Sequence, residues 1–302
     1  MSTITTPAND REALIESMTG HPAWNGFFAQ PQPDHSFPDL RAARAYGTGP
    51  EDEAALAALG IHVDGGGQGN TILLADTRGG HNLRIRFGGH AGGVVALGAG
   101  CLLAGSIGFE GNGHLLVCNG RGSLHFTATF RNDEGALFFG RNFTVNGAEC
   151  LVEGPRRSII VGDDAMVSYR VQLRTSDSHG IVSLDDPSAA LNPPASILIG
   201  PHVWIGADTV LGRGVSVGRG AIVALGTIVT TDVAPCTLVG GVPMRVLKER
   251  VTWTRASQPN RAEAEAAIAF ASPGKADQAV AVRPPPSPSP PPARAISPPR
   301  PS

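Results

Sequence analysis

Counting by six from Ile199, the chain places an aliphatic residue at every step: Ile199, Ile205, Leu211, Val217, Val223 and Val229. The position after each is Gly200, Gly206, Gly212, Gly218, Ala224 and Thr230, and four places on come Val203, Thr209, Val215, Ala221, Thr227 and Val233. A fixed internal period outranks local propensity as a guide to fold. Here the aliphatic residue points into a narrow prism, the next position favours glycine, and the fifth is small or β-branched. Each hexad is then one short strand and a turn. A single hexad closes no core, but stacked coils bury a continuous aliphatic column, each side chain contributing roughly 1.5–3 kcal/mol.

Upstream the same count finds Ile85, Ala91, Leu97, Leu103, Phe109 and Leu115 in one frame, Phe139, Val145 and Leu151 in a second, and Val161, Val167 and Leu173 in a third. The frame then breaks. Leu173 and Ile199 are 26 residues apart, not a multiple of six, so the chain leaves the coil and returns. An excursion near residues 180–196 is expected, and an ordered loop of that length is often functional. The expected fold class is mainly β: a left-handed parallel β-helix over residues 71–253, preceded by a partly helical region over 1–70. Residues 254–302 complete the chain as a short helix and a disordered Pro-rich tail.

Pro50–Leu59 reads as a helix, with proline at its first position, Glu51, Asp52 and Glu53 near the positive end of the dipole, and Gly60 to end it. Asp10–Met18 and Arg261–Phe270 are two further helical candidates. The stretch RPPPSPSPPPARAISPPRPS cannot build a core and reads as polyproline-like coil.

The 39 glycines, against 5% aromatic residues, fit a chain that makes many tight turns. A net charge of −2 gives no basic field for nucleic acid or an anionic membrane. Cys101, Cys118, Cys150 and Cys236 lack metal-ligand spacing and read as buried thiols. The N-terminal segment has no basic flank followed by an apolar core, and no run of 18 apolar residues occurs, so a cytoplasmic protein without stable membrane insertion is expected.

Six residues on from Leu173 stands His179, where an inward aliphatic residue is due. Histidine is the side chain best suited to act as a base near neutral pH, and a positioned base typically contributes about 10²- to 10⁴-fold. A solvated turn histidine explains the position equally well. Asp177, two residues earlier, lies on the same side if the segment is extended, as an orienter of the imidazole or an acceptor contact; a plain surface carboxylate competes. Ser176 and Ser178 have no nearby sequence partner that would make either a nucleophile. Trp204, between inward Val203 and Ile205, is expected to face outward against a partner subunit or a ligand. His202 reads as a surface turn residue. Arg245, Lys248 and Arg250 gather positive charge at the end of the coil, matched either to phosphates or to a helix end.

With His179, the broken frame and the stretch IGPHVWIGADTVLGRGVSVGRGAIVALGTIVTTDVAPCTLVGGVPMRVLKER assembled, the chain resembles the hexapeptide-repeat acetyltransferases. The segment VGDDAMVSYRVQLRTSDSHGI is most similar to the branch acetylating sugars, capsular polysaccharide and xenobiotics. The resemblance runs from about Ser158 to Trp253. It implies a homotrimer with active sites between subunits, acetyl-CoA as co-substrate, a sugar or glycan acceptor, no catalytic metal, and His179 as general base with Asp177 beside it. By the same match Trp204 and Gly206 lie near the thioester and pantetheine, Gly226 and Thr227 line the CoA groove with backbone groups, and Arg245 with Lys248 faces its phosphates. The family often carries lysine where Thr231 stands, which removes one expected phosphate contact.

Three alternatives compete. N-acetylation of an amino-sugar or small molecule needs the same machinery. A β-helical zinc carbonic anhydrase needs histidines about a hexad apart, and no two of His81, His90, His114, His125, His179 and His202 are so spaced. A non-catalytic β-helical scaffold finds its one positive sign in the Pro-rich tail.

Overall fold

A computed structural model describes residues 8–29 and 35–272, so the expected Pro-rich coil lies outside the described residues. The hexads form the expected parallel β-helix. One sheet of 8 strands covers one side of the prism, and a second of 13 strands wraps the other two. From Ile199 to Val229 each coil is three hexads: Ile199 pairs with Val217, Ile205 with Val223 and Leu211 with Val229, all in parallel, before the last coil shortens to pair Val223 with Val239. All six of these side chains are buried in one aliphatic column.

The upstream frames of six have a different origin. There the coil takes 21 residues between Leu115 and Ala136, and 22 between Thr144 and Met166. Because six is even, residues six apart in one extended strand face the same way. Leu103 and Phe109 both point inward within the single strand Cys101–Glu110, whereas Ala91 falls at a half-buried corner. These long strands serve two faces at once. Thr144–Glu153 pairs through its first half with Met166–Val167 and through its second with Val171–Arg174, and a bulge between Val145 and Ala148 marks the bend. Below that point a turn through Arg170 replaces the bend and the strict hexads begin.

The coil starts before the expected boundary at residue 71, since Ile61–Asp64 already pairs in parallel with Asn82–Arg86. Three helices match expectation: α1 (Ala8–Thr19), α2 (Pro50–Ala58) and α3 (Arg261–Ala271). Gly60 ends α2 with φ +81°, and a Cβ there would lie 1.9 Å from the His81 carbonyl oxygen, so the site requires glycine. Asn260 and Glu263 cap α3 reciprocally.

The N-terminal region, without an assigned role in the sequence, lies against the outside of the 8-stranded sheet. Trp24, Met18 and Leu40 pack on Leu73, Val94, Leu115, Val117 and Phe138 as a second core. Strands of that sheet in the upper coils are therefore buried on both sides, as in Val94–Leu97 and Ser158–Val161. The four cysteines are free; Cys101, Cys118 and Cys150 are buried and Cys236 is partly so.

Candidate active site

The excursion opens at Thr175, which is fully buried. Its hydroxyl donates to the Glu153 carbonyl (2.9 Å) and accepts from the Glu153 amide (2.8 Å). The chain rejoins the coil at Ala195, whose amide donates 2.9 Å to the Thr175 carbonyl. The loop therefore leaves and returns through one tied pair of residues, slightly earlier than the expected 180–196. Its arms pair across Val182 and Ala190, and the Leu191 amide donates to the Ile181 carbonyl.

His179 is exposed rather than inward, because the coil has already been left at Thr175. Ser178 adopts a left-handed conformation (φ +63°), so Asp177 and His179 do not share one side of an extended strand. Among the described residues the His179 imidazole has no hydrogen-bond partner, while its backbone is held firmly. Asn192 donates to the His179 carbonyl (2.9 Å) and to Asp177 Oδ2 (2.8 Å), and its Oδ1 accepts from the Ile181 amide (2.6 Å). Arg213, on the next coil, reaches the same Asp177 oxygen at 2.9 Å. The hydrogen bond from Asn192 and the pairing with Arg213 hold the Asp177 carboxyl below its usual range. Ser178 donates 2.7 Å to Glu153, and Arg174 lies 3.5 Å from the Ser178 hydroxyl.

Trp204 faces outward as expected, 38% exposed between fully buried Val203 and Ile205. Strand register places it in a column: Met166 pairs with Trp204, Trp204 with Ile222, Ile222 with Leu238 and Leu238 with Lys248. The last pairing belongs to the antiparallel strand Arg245–Glu249. Residues three apart in a regular strand face opposite sides, yet Arg245 and Lys248 face the same side here. The register shifts so that Leu238 meets Lys248 and Val239 meets Val246, leaving Leu247 as the extra residue of a bulge. Arg245 opposite Gly240 and Lys248 opposite Leu238 thus lie on the outer face that carries Trp204. At about 4.8 Å per strand, the column runs roughly 14 Å from the indole to the cations.

Of the remaining expected ligand residues, Gly206 and Thr227 pack within the coil and Gly226 lies at its surface. A Cβ on Gly206 would approach the Leu225 amide to 2.5 Å, so the coil beneath requires glycine there. Thr227 is buried and its hydroxyl donates to the Ala224 carbonyl, which leaves only its backbone groups to face a ligand. Gly226 occupies an exposed, open corner with φ +69°.

His202 is no surface residue. It is 4% exposed, stacks on Trp253 at 4.5 Å, approaches Asp164 with Nδ1 (2.7 Å) and bonds the Trp253 carbonyl through Nε2 (3.0 Å). Burial pushes the Asp164 carboxyl up, but hydrogen bonds from His202 and Arg255 and the charge of Arg255 outweigh it, and the net shift is downward. This cluster clamps residues 251–255 to the corner of the helix and brings the Trp253 ring within 6.2 Å of Trp204. Hexad counting missed it because His202 and Trp253 meet only when the chain folds back along its own coils. Asn192 was equally hidden, since its partners sit across the loop. A groove of about 460 Å³ lined by His125, Glu149, Arg170 and Gln172 lies at the bend of the long strands and shares no residue with the excursion.

No protein-family model matches the chain, and no curated protein matches it. Solved structures do. The polysialic-acid-specific acetyltransferase NeuO superposes with a TM-score of 0.58 at 22% identity, over 67% of this chain and 92% of that one. The polysialic acid O-acetyltransferase OatWY gives 0.56 at 18%, over 70% and 96%. The likeness is one of fold.

Proposed function

We propose that this chain is an acetyl-CoA-dependent O-acetyltransferase that works as a homotrimer on a hydroxyl of a sugar or glycan, with His179 as general base. The observation that carries this reading is the outward column from Trp204 to Lys248. An apolar strip that ends in two cations on one face suits a molecule with an apolar arm and a polyphosphate head, which is the chemistry of CoA. On a different corner of the coil, His179 offers an imidazole without a hydrogen-bond partner among the described residues, on a stapled loop. The polysialic acid specificity of the two solved acetyltransferases of similar fold favours a glycan as acceptor.

In this reading the acceptor hydroxyl gives its proton to His179 as its oxygen attacks the thioester carbonyl. Backbone N–H groups stabilise the oxyanion, the carbon–sulfur bond breaks, and the proton passes from the imidazole to the departing CoA thiolate. No covalent enzyme intermediate is needed. Arg245 and Lys248 hold the phosphates, and Trp204 lies against the arm near the thioester. Asp177 acts through the loop, because its carboxylate is occupied by Asn192 and Arg213.

A screen of neutral and anionic glycans and amino-sugars with acetyl-CoA, read as free-thiol release, tests the assignment. A glycan hydroxyl should give turnover, and His179→Ala should fold, still bind CoA and lose at least about 100-fold in rate. Near-normal turnover in that variant would remove His179 from the chemistry, and turnover with amines alone would move the reaction to N-acetylation.

A further inference from the structure

Asn192 lies thirteen residues beyond His179 in the chain. It is 5% exposed on a loop whose other side chains are largely open, including Leu184 at 100%. A buried side-chain amide must satisfy its hydrogen bonds or destabilise the fold. Asn192 does so entirely with the segment that carries the candidate base, bonding the Asp177 carboxylate, the His179 carbonyl and the Ile181 amide. These three contacts bracket His179 on both sides and at its own backbone. Arg213 on the coil below fixes the Asp177 end at 2.9 Å, so the staple is anchored to the rigid prism rather than to the loop alone.

We infer that Asn192 is a positioning residue: its amide sets the backbone of His179 and thereby the direction in which the imidazole is presented. This rests on the proposed role of His179. The geometry separates it from a general loop stabiliser. The excursion is already closed at its base by Thr175 and Ala195, and Val182 and Ala190 bridge its arms without using Asn192. Removing the amide should therefore release the 177–181 segment and leave the loop closed. It should also leave the column between Trp204 and Lys248 undisturbed, since no contact of Asn192 reaches that face.

The test uses the full chain carrying Asn192→Ala and Asn192→Asp. Hydrogen–deuterium exchange needs no acceptor, and peptides covering 177–182 should exchange at least tenfold faster in Asn192→Ala, with peptides of the coils unchanged. Unchanged exchange in 177–182 overturns the staple. In acetyl transfer, kcat should fall at least tenfold while KM for acetyl-CoA stays within about twofold. Loosened exchange with an unchanged kcat overturns the positioning role, as does a fall confined to KM. Asn192→Asp adds a pH signature. The new carboxylate repels Asp177 while ionised and regains a donor when protonated, so its kcat relative to the parent chain should rise as pH falls. A ratio that is flat with pH overturns the proposed donor function. Should the parent chain show no acetyl transfer, the exchange arm still reports on the staple, so failure of the functional reading and failure of this inference remain distinguishable.

Discussion

His114 shows how one side chain can mark a cost inside an apolar column. It is 1% exposed, lies 5.4 Å from the Phe109 ring and 5.2 Å from that of Phe130, accepts from the Gly135 amide at Nδ1, and has a buried Nε2 without a partner among the described residues. Desolvation pushes its pKa down to about 4 from 6.5. The folded state therefore holds a neutral ring at a pH where the unfolded chain already binds a proton. Stability is unaffected above about pH 6.5, is lost progressively as pH falls through 6.5 toward 4, and levels off below. The loss amounts to about 3 kcal/mol. His114→Gln keeps an acceptor for Gly135 and does not titrate, so denaturant unfolding at pH 7 and pH 4.5 should show a smaller acid loss in the variant. Equal losses in both proteins would place the acid sensitivity elsewhere.

At the scale of elements, the bulge at Leu247 is what gives the end of the coil its proposed binding face. Arg245→Ala and Lys248→Ala should each raise KM for acetyl-CoA several-fold with little change in kcat, and the effect should shrink with added salt. Deleting Leu247 removes the extra residue and leaves Arg245 and Lys248 two apart in a regular strand, still on the face of the column. That deletion should therefore keep KM for acetyl-CoA within about twofold of the parent; a rise matching the alanine variants would show that the two cations do not act from the shared face. Nothing in the residues VPMRVLKER announces this bulge, because it depends on how the strand meets Thr237–Gly240. The strict hexads from Ile199 were legible, because each inward position faces the same narrow interior and tolerates only aliphatic side chains. Upstream the six-count found inward residues for another reason, the two-residue alternation of long strands. The break in frame pointed to the excursion. It could not show His179 turned outward or Asn192 beneath it, since both follow from the left-handed turn at Ser178 and from contacts across the loop.

The whole molecule restricts where a second subunit can dock. The outer side of the 8-stranded sheet in the upper coils is covered by the N-terminal layer. One corner is occupied by residues 251–255 and α3, with Ala271 against Cys236, Phe270 beside His202, and Gly220 without room for a Cβ because Ala271 would lie 2.7 Å from it. Among the surfaces still open are the face carrying Trp204, the face carrying Val210 and Ile228, and the corner from which the excursion projects. The excursion is also where apolar side chains stand in solvent, with Ile181 at 58%, Val182 at 52%, Leu184 at 100% and Leu191 at 64%. Such a cluster on a loop closed by a tied base is suited to bury itself against a neighbouring copy. In the proposed homotrimer each His179 would stand against the Trp204 column of an adjacent chain, so assembly and activity should fail together. Leu184→Asp places a charge at the most exposed apolar position without touching Asn192 or the coil. Light scattering coupled to gel filtration should find a trimer for the parent chain and a monomer for the variant, with an unchanged far-UV circular dichroism spectrum and acetyl transfer reduced at least tenfold. A variant that remains trimeric and active would place the interface on another surface.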